Sequence, residues 1–164
     1  MVSPYFSWAF GTDSVPAVIA IFQAENFTLY RILYLVHILS IVAAFGPLFL
    51  YPRMKRAGEV SAIAALHMKL VFPALVVLWV VGMGMAGVGK FSLGEMHWIT
   101  ITIALWLVAL GVSWFLIRPA ISSESEDAVK KMSMGIGITH LVLVASLWLM
   151  VFKPFVDGTY VINL

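Results

Sequence analysis

Residues 97–117 read HWITITIALWLVALGVSWFLI. They contain no Asp, Glu, Lys or Arg. At about 1.5 Å per residue, a helix of that length covers about 30 Å, the depth of a bilayer's hydrocarbon core. Three further stretches, 29–51, 66–87 and 134–152, have the same apolar character. They predict an all-α membrane protein: a four-transmembrane-helix bundle over 29–164, preceded by an interfacial segment over 1–28. That segment scatters Tyr5, Phe6, Trp8, Phe10, Phe22 and Phe27 among Ser, Thr, Gly and Pro, as rings held at headgroup level would be.

Composition narrows the function classes. The chain has 164 residues, 62% hydrophobic and 11% charged, where a soluble domain has about a quarter charged. No polar stretch is long enough to form a separate soluble domain. The net charge of +2 is spread over loops, with no basic patch suited to nucleic acid. The absence of cysteine excludes disulfides, thiolate metal sites and c-type haem attachment. The first basic residue is Arg31, so no charged region precedes an apolar one, and the first span is expected to be its own insertion signal.

Prolines and charges punctuate the spans. Tyr51-Pro52-Arg53 is expected to stop the first, and Pro73 to fall in the first turns of the second, where a missing amide is tolerated. Gly82, Gly84 and Gly87 form a small-residue face for close helix contact. Arg53, Lys55, Arg56, Lys69, Arg118, Lys130 and Lys131 lie on one side; Arg31, Lys90 and Lys153 lie on the other. The positive-inside rule then places both termini outside a bacterial inner membrane. The Arg–Pro closures of the first and third spans suggest a duplicated hairpin, a pattern that ordinary helix punctuation also produces.

Each span carries one histidine inside it or at its end: His37, His67, His97 and His140. An imidazole in lipid needs a partner and marks a functional site. Counted from the span edges, His37 and His140 are the deepest and fall at similar levels. A haem b between the first and last helices could take one axial imidazole from each, with the Arg53 guanidinium on a propionate. The plainer alternative is a neutral imidazole bonded to Ser40, Thr139 or Ser146. His67 and His97, beside Lys69 and Trp98, read as interfacial anchors. Thioethers beside imidazoles, at His67-Met68 and Met96-His97, raise copper handling. Methionine is equally an ordinary filler of apolar cores. The acidic residues all lie outside the spans, so no intramembrane carboxylate relay is expected.

The run from His37 through Phe45-Gly46-Pro47 to Tyr51-Pro52-Arg53 resembles the first-helix signature of HemJ-type protoporphyrinogen oxidases. Pro73, Trp98 and Lys153-Pro154-Phe155 extend the likeness. More loosely, the chain resembles uncharacterised four-helix bacterial integral membrane proteins. The first resemblance implies a small haem-b-associated redox protein, a candidate membrane oxidoreductase. The alternative is a non-enzymatic accessory subunit of a respiratory or photosynthetic complex, meeting other membrane subunits or a second copy of itself. Copper handling is the third reading.

Overall fold

In the computed structural model, the described residues are 17–89, 91, 93–94, 96–125 and 127–154, with side chains from residue 27 onward. The expected interfacial residues 1–16, and Phe155, lie outside them. The described elements are all helical, and four are long and apolar enough to cross a membrane: Phe27–Arg56, Val60–Val88, His97–Ser122 and Ala128–Phe152. These are the first to fourth spans below. The chain is an all-α membrane protein with a four-helix bundle.

Every span is longer than the apolar run that announces it. The first begins as helix at Ala17, so residues 17–28 are its opening turns. It continues through the 3-10 turn Pro47–Leu50 into Tyr51–Arg56, so Pro52 does not stop it. The second starts at Val60 rather than 66, and the fourth at Ala128 rather than 134. The added turns carry Ser, Glu or Lys beside Ala and Val, so polar helical residues extend the ladder beyond the hydrophobic signal. Between the first two spans the chain reverses at Gly58, whose φ of 79° is one a side chain rarely adopts.

Three spans change pitch just before a proline. In the second, a π-helical turn covers His67–Val71 and is followed by Phe72-Pro73. In the third, Ser113–Ile117 is π-helical and is followed by Arg118-Pro119. Phe72 donates its amide to the His67 carbonyl, and Arg118 donates to the Ser113 carbonyl, each five residues back. A proline has no amide to donate and its ring crowds the carbonyl four residues before it. Shifting the preceding bonds by one residue lets the helix continue. Pro73 therefore sits deep inside its span, not in the first turns.

The helices form two hairpins, the first span packed along the second and the third along the fourth. At the end carrying the 51–60 and 118–128 connections, all four meet in one core. Leu48, Tyr51, Ile63, Val71, Ile117, Ile121, Met132 and Ile136 are all buried there. Lys55 Nζ crosses between hairpins and donates to the Ile121 and Ser123 carbonyls at 2.6 and 2.8 Å. These carbonyls end the third span and have no helical donors of their own.

The core contains a polar joint. His67 is 0% exposed; its Nδ1 lies 3.4 Å from Tyr51 Oη and its Nε2 3.3 Å from Ser113 Oγ. Tyr51 is 0% and Ser113 1% exposed. Three spans thus share one imidazole. His67 is not the interfacial anchor its position in the apolar run suggested, because the second span begins two turns earlier.

Two consequences are measurable. Tyr51→Phe and Ser113→Ala should each destabilise the bundle by about 1 kcal/mol. Their double variant should lose less than the sum, because both bonds polarise the same ring. Thermal unfolding in detergent reads this. A Cβ on Gly135 would lie 2.8 Å from Ile117 Cγ1 and 3.2 Å from Leu116 Cδ2, whereas nothing lies within 4 Å of one on Gly137. Gly135→Val should therefore cost about 1–3 kcal/mol by overpacking, and Gly137→Ala should not lower the melting temperature.

Candidate functional site

At the other end the hairpins separate. The gap is floored by Ala44, Phe45, Ala74 and Leu75, which pack together with Leu78, Leu110 and Leu143. Trp106 bridges the hairpins at the floor, its Nε1 donating to the Leu75 carbonyl at 2.9 Å. Its ring stacks on Trp79, with centroids 5.7 Å apart. Above lies a cavity of about 400 Å³ lined by all four spans, within the size range of small-molecule sites. Most of its wall is aliphatic or aromatic. Ile38, Trp79, Leu147 and Val151 line it and are also exposed on the bundle surface, so it opens sideways toward lipid.

His37 projects into this cavity from the middle of the first span. It is 9% exposed, and its Nδ1 is buried without a hydrogen-bond partner. The ring lies directly against the second span: a Cβ on Gly82 would sit 3.4 Å from Cε1 and 3.7 Å from Nδ1. Gly84 accepts Leu33 in the same way, one turn away, at 3.5 Å. The small-residue face read from the sequence is thus a seat for the first span at Gly82 and Gly84, while Gly87 has nothing within 4 Å of its Cβ position.

Trp98 lines the same cavity with its ring. Its Nε1 is also buried and unpartnered. Its ring is held edge-on to Phe91, centroids 6.5 Å apart, and Lys153 Nζ lies 5.9 Å from its centroid. Lys153 adopts a left-handed conformation, φ 43°, as the cap of the fourth span. This turns the chain so that the ammonium returns over the indole at the cavity mouth. Tyr30 and Tyr34 complete the polar rim from the first span.

The other residues singled out from the sequence lie elsewhere. His140 packs its ring on Phe49 at 4.0 Å and edge-on to Phe45 at 6.3 Å, and its Nδ1 lies 2.8 Å from the Ile136 carbonyl. Phe45 is eight residues beyond His37, about 12 Å along the helix. His37 and His140 therefore do not share a level, and the structure does not bring them to opposite faces of one ring. Arg53 is exposed at the closed end, sixteen residues or about 24 Å from His37. Of the alternative partners, Ser40 bonds the Val36 carbonyl and Thr139 bonds the Gly135 and Ile136 carbonyls, whereas Ser146 lines the same cavity as His37. His97 is exposed at the start of the third span. Among the described residues no three His, Cys, Asp or Glu side chains gather as a metal site.

The sequence does not show the inward placement of two residues. Trp98 reads as an interfacial ring until Phe91 and Lys153 are seen to turn it inward. Ser113 reads as one hydroxyl in an apolar run until the π-turn aims it at His67. The five-residue interval from a polar residue to a residue-plus-proline pair, seen at both His67 and Ser113, is the signal that could have found that joint.

No family model matches this chain, and neither a curated protein nor a solved structure matches it.

Proposed function

We propose that this chain is a small redox membrane protein that holds a flat, mostly apolar cofactor in the cavity between its hairpins. The observation that carries the reading is His37: nine-tenths buried, with an unpartnered ring nitrogen, on a cavity otherwise built from aliphatic and aromatic side chains. A buried polar atom without a partner is unfavourable by about 1–3 kcal/mol, and a ligand that satisfies it recovers that free energy. The apolar wall supplies affinity, and the few polar atoms set orientation.

Haem b is the cofactor that the helix 1 resemblance implies. In that reading His37 alone among the histidines ligates from this cavity, because His140 faces Phe49 and Arg53 lies at the far end of the bundle. Lys153 and the Tyr30 and Tyr34 hydroxyls are the groups at the mouth suited to a carboxylate. A bound haem would supply one-electron chemistry, and the protein's part would be its ligand, its burial and the exclusion of water. The same reading places the protein in a bacterial inner membrane. The closed end faces the cytoplasm, because Arg53, Lys55, Arg56, Arg118, Lys130 and Lys131 gather there.

The test is an optical spectrum of the protein purified from haem-replete cells. A haem in this cavity gives a Soret band that His37→Ala abolishes and His140→Phe leaves in place. Equal loss in both variants would restore ligation by the pair. A colourless preparation that also fails to bind any flat apolar probe would sink the cofactor reading and leave an accessory subunit.

A further inference from the structure

We infer that the cavity takes a straight-chain carboxylic acid, with its carboxylate on Lys153 and its alkyl chain running down toward the floor. The inference rests on the cavity being a ligand site, and it takes a long-chain acid where the preceding reading takes a haem. The distribution of charge along the wall carries it. Of the Lys, Arg, Asp and Glu side chains among the described residues, only Lys153 lines the cavity. A lysine at the end of a span ordinarily reaches outward to the headgroups. Lys153 is held the other way. Its left-handed backbone, φ 43°, ends the fourth span and brings Nζ to 5.9 Å from the centroid of Trp98, a residue of the third span that lines the same cavity. Tyr30 and Tyr34 line this end from the first span. A carboxylate at the mouth therefore meets an ammonium whose charge no described acidic residue in the wall balances, and the rest of the wall is suited to hydrocarbon.

The shape of the cavity matches one chain. Its lining runs from Trp98 to Ala109 on the third span and from Lys153 back to Val142 on the fourth, eleven residues in each case, about 16 Å at the helical rise. An extended chain advances about 1.2 Å per bond, so about thirteen bonds cover that length. Volume gives the same size: at about 30 Å³ for a group as large as a water, a cavity of about 400 Å³ holds about thirteen methylenes. An acid of about fourteen carbons fills this space, and a two-chain lipid exceeds it. The surrounding bilayer solvates an alkyl chain as well as this wall does, so the chain sets the fit and the head sets the selection. The lateral opening past Ile38, Leu147 and Val151 lets the chain enter from lipid.

Equilibrium binding of radiolabelled probes to the full chain in phosphatidylcholine nanodiscs, with empty nanodiscs subtracted, tests this. The probes are myristate and myristyl alcohol, which share one chain and differ in charge. At about pH 9, below the ordinary lysine pKa of about 10.4 and above that of a carboxylic acid, both partners of the pair are ionised. The wild type should bind myristate about fivefold tighter than the alcohol, the scale of one ion pair at a partly exposed site. Lys153→Asn, which removes the charge and suits the left-handed backbone, should abolish that preference. Lys153→Arg should keep it. The alcohol should bind the wild type and Lys153→Asn alike, which shows that the cavity is intact. Ser146→Trp, which fills the cavity from the fourth span, should weaken both probes about tenfold or more. Equal affinity for acid and alcohol in the wild type, or a preference that survives Lys153→Asn, overturns the inference while the cavity reading stands. Displacement of myristate by an equal mole fraction of dimyristoyl phosphatidylglycerol overturns it in favour of a two-chain lipid. Binding that Ser146→Trp leaves untouched, or no saturable binding of either probe, overturns it as well, and the optical spectrum of the purified protein then decides the haem reading separately.

Discussion

A proline inside a membrane-spanning helix leaves a carbonyl that no water can reach, and the architecture of this bundle depends on how that problem is solved. Two spans solve it with a π-turn and one with a 3-10 turn, each ending one residue before a proline. The first residues of the two π-turns are His67 and Ser113, and the first residue after the 3-10 turn is Tyr51. Those three residues are the ones joined by the buried imidazole. Backbone repair and side-chain network are therefore one device: the pitch changes that keep the ladder satisfied also re-aim the side chains that lock the hairpins together.

Because the lock sits at one end, the hairpins are free to diverge at the other. The closed end is tied by the His67 joint, the Lys55 bridge and the Ile and Met core around them. Beyond the layer of Phe45, Leu75 and the Trp106 bond there is no comparable tie among the described residues, and the space between the hairpins becomes the cavity. Lipid provides little hydrophobic drive to close it, since acyl chains solvate aliphatic side chains as well as other helices do. His37 and Trp98, each with a buried ring nitrogen that has no hydrogen-bond partner, stand in its wall.

The four spans were legible in the sequence because length and apolarity are local properties, and residues 97–117 declare both. The span ends were less legible, since polar helical turns such as 60–65 and 128–133 carry no hydrophobic signal. His37 is legible as an imidazole within an apolar run, and it is buried in the bundle. Its pairing with His140 was not legible, because depth counted from apolar edges shifts when the helices start earlier and change pitch. For the same reason His67 reads as an interfacial anchor, whereas it is fully buried. Trp98 was readable only as an aromatic at an edge; its inward turn depends on Phe91 and on the left-handed backbone of Lys153, contacts between different spans that no local pattern encodes.

The sideways opening of the cavity sets the route and the reference state for anything that occupies it. A molecule arriving past Ile38 and Val151 diffuses in two dimensions from the surrounding acyl chains and never has to shed an aqueous shell at the doorway. Occupancy then follows the molecule's mole fraction in the bilayer, not its concentration in bulk water. The protein would sample the membrane's own pool of hydrophobic solutes, and bilayer composition would tune its saturation without any change in the bundle itself.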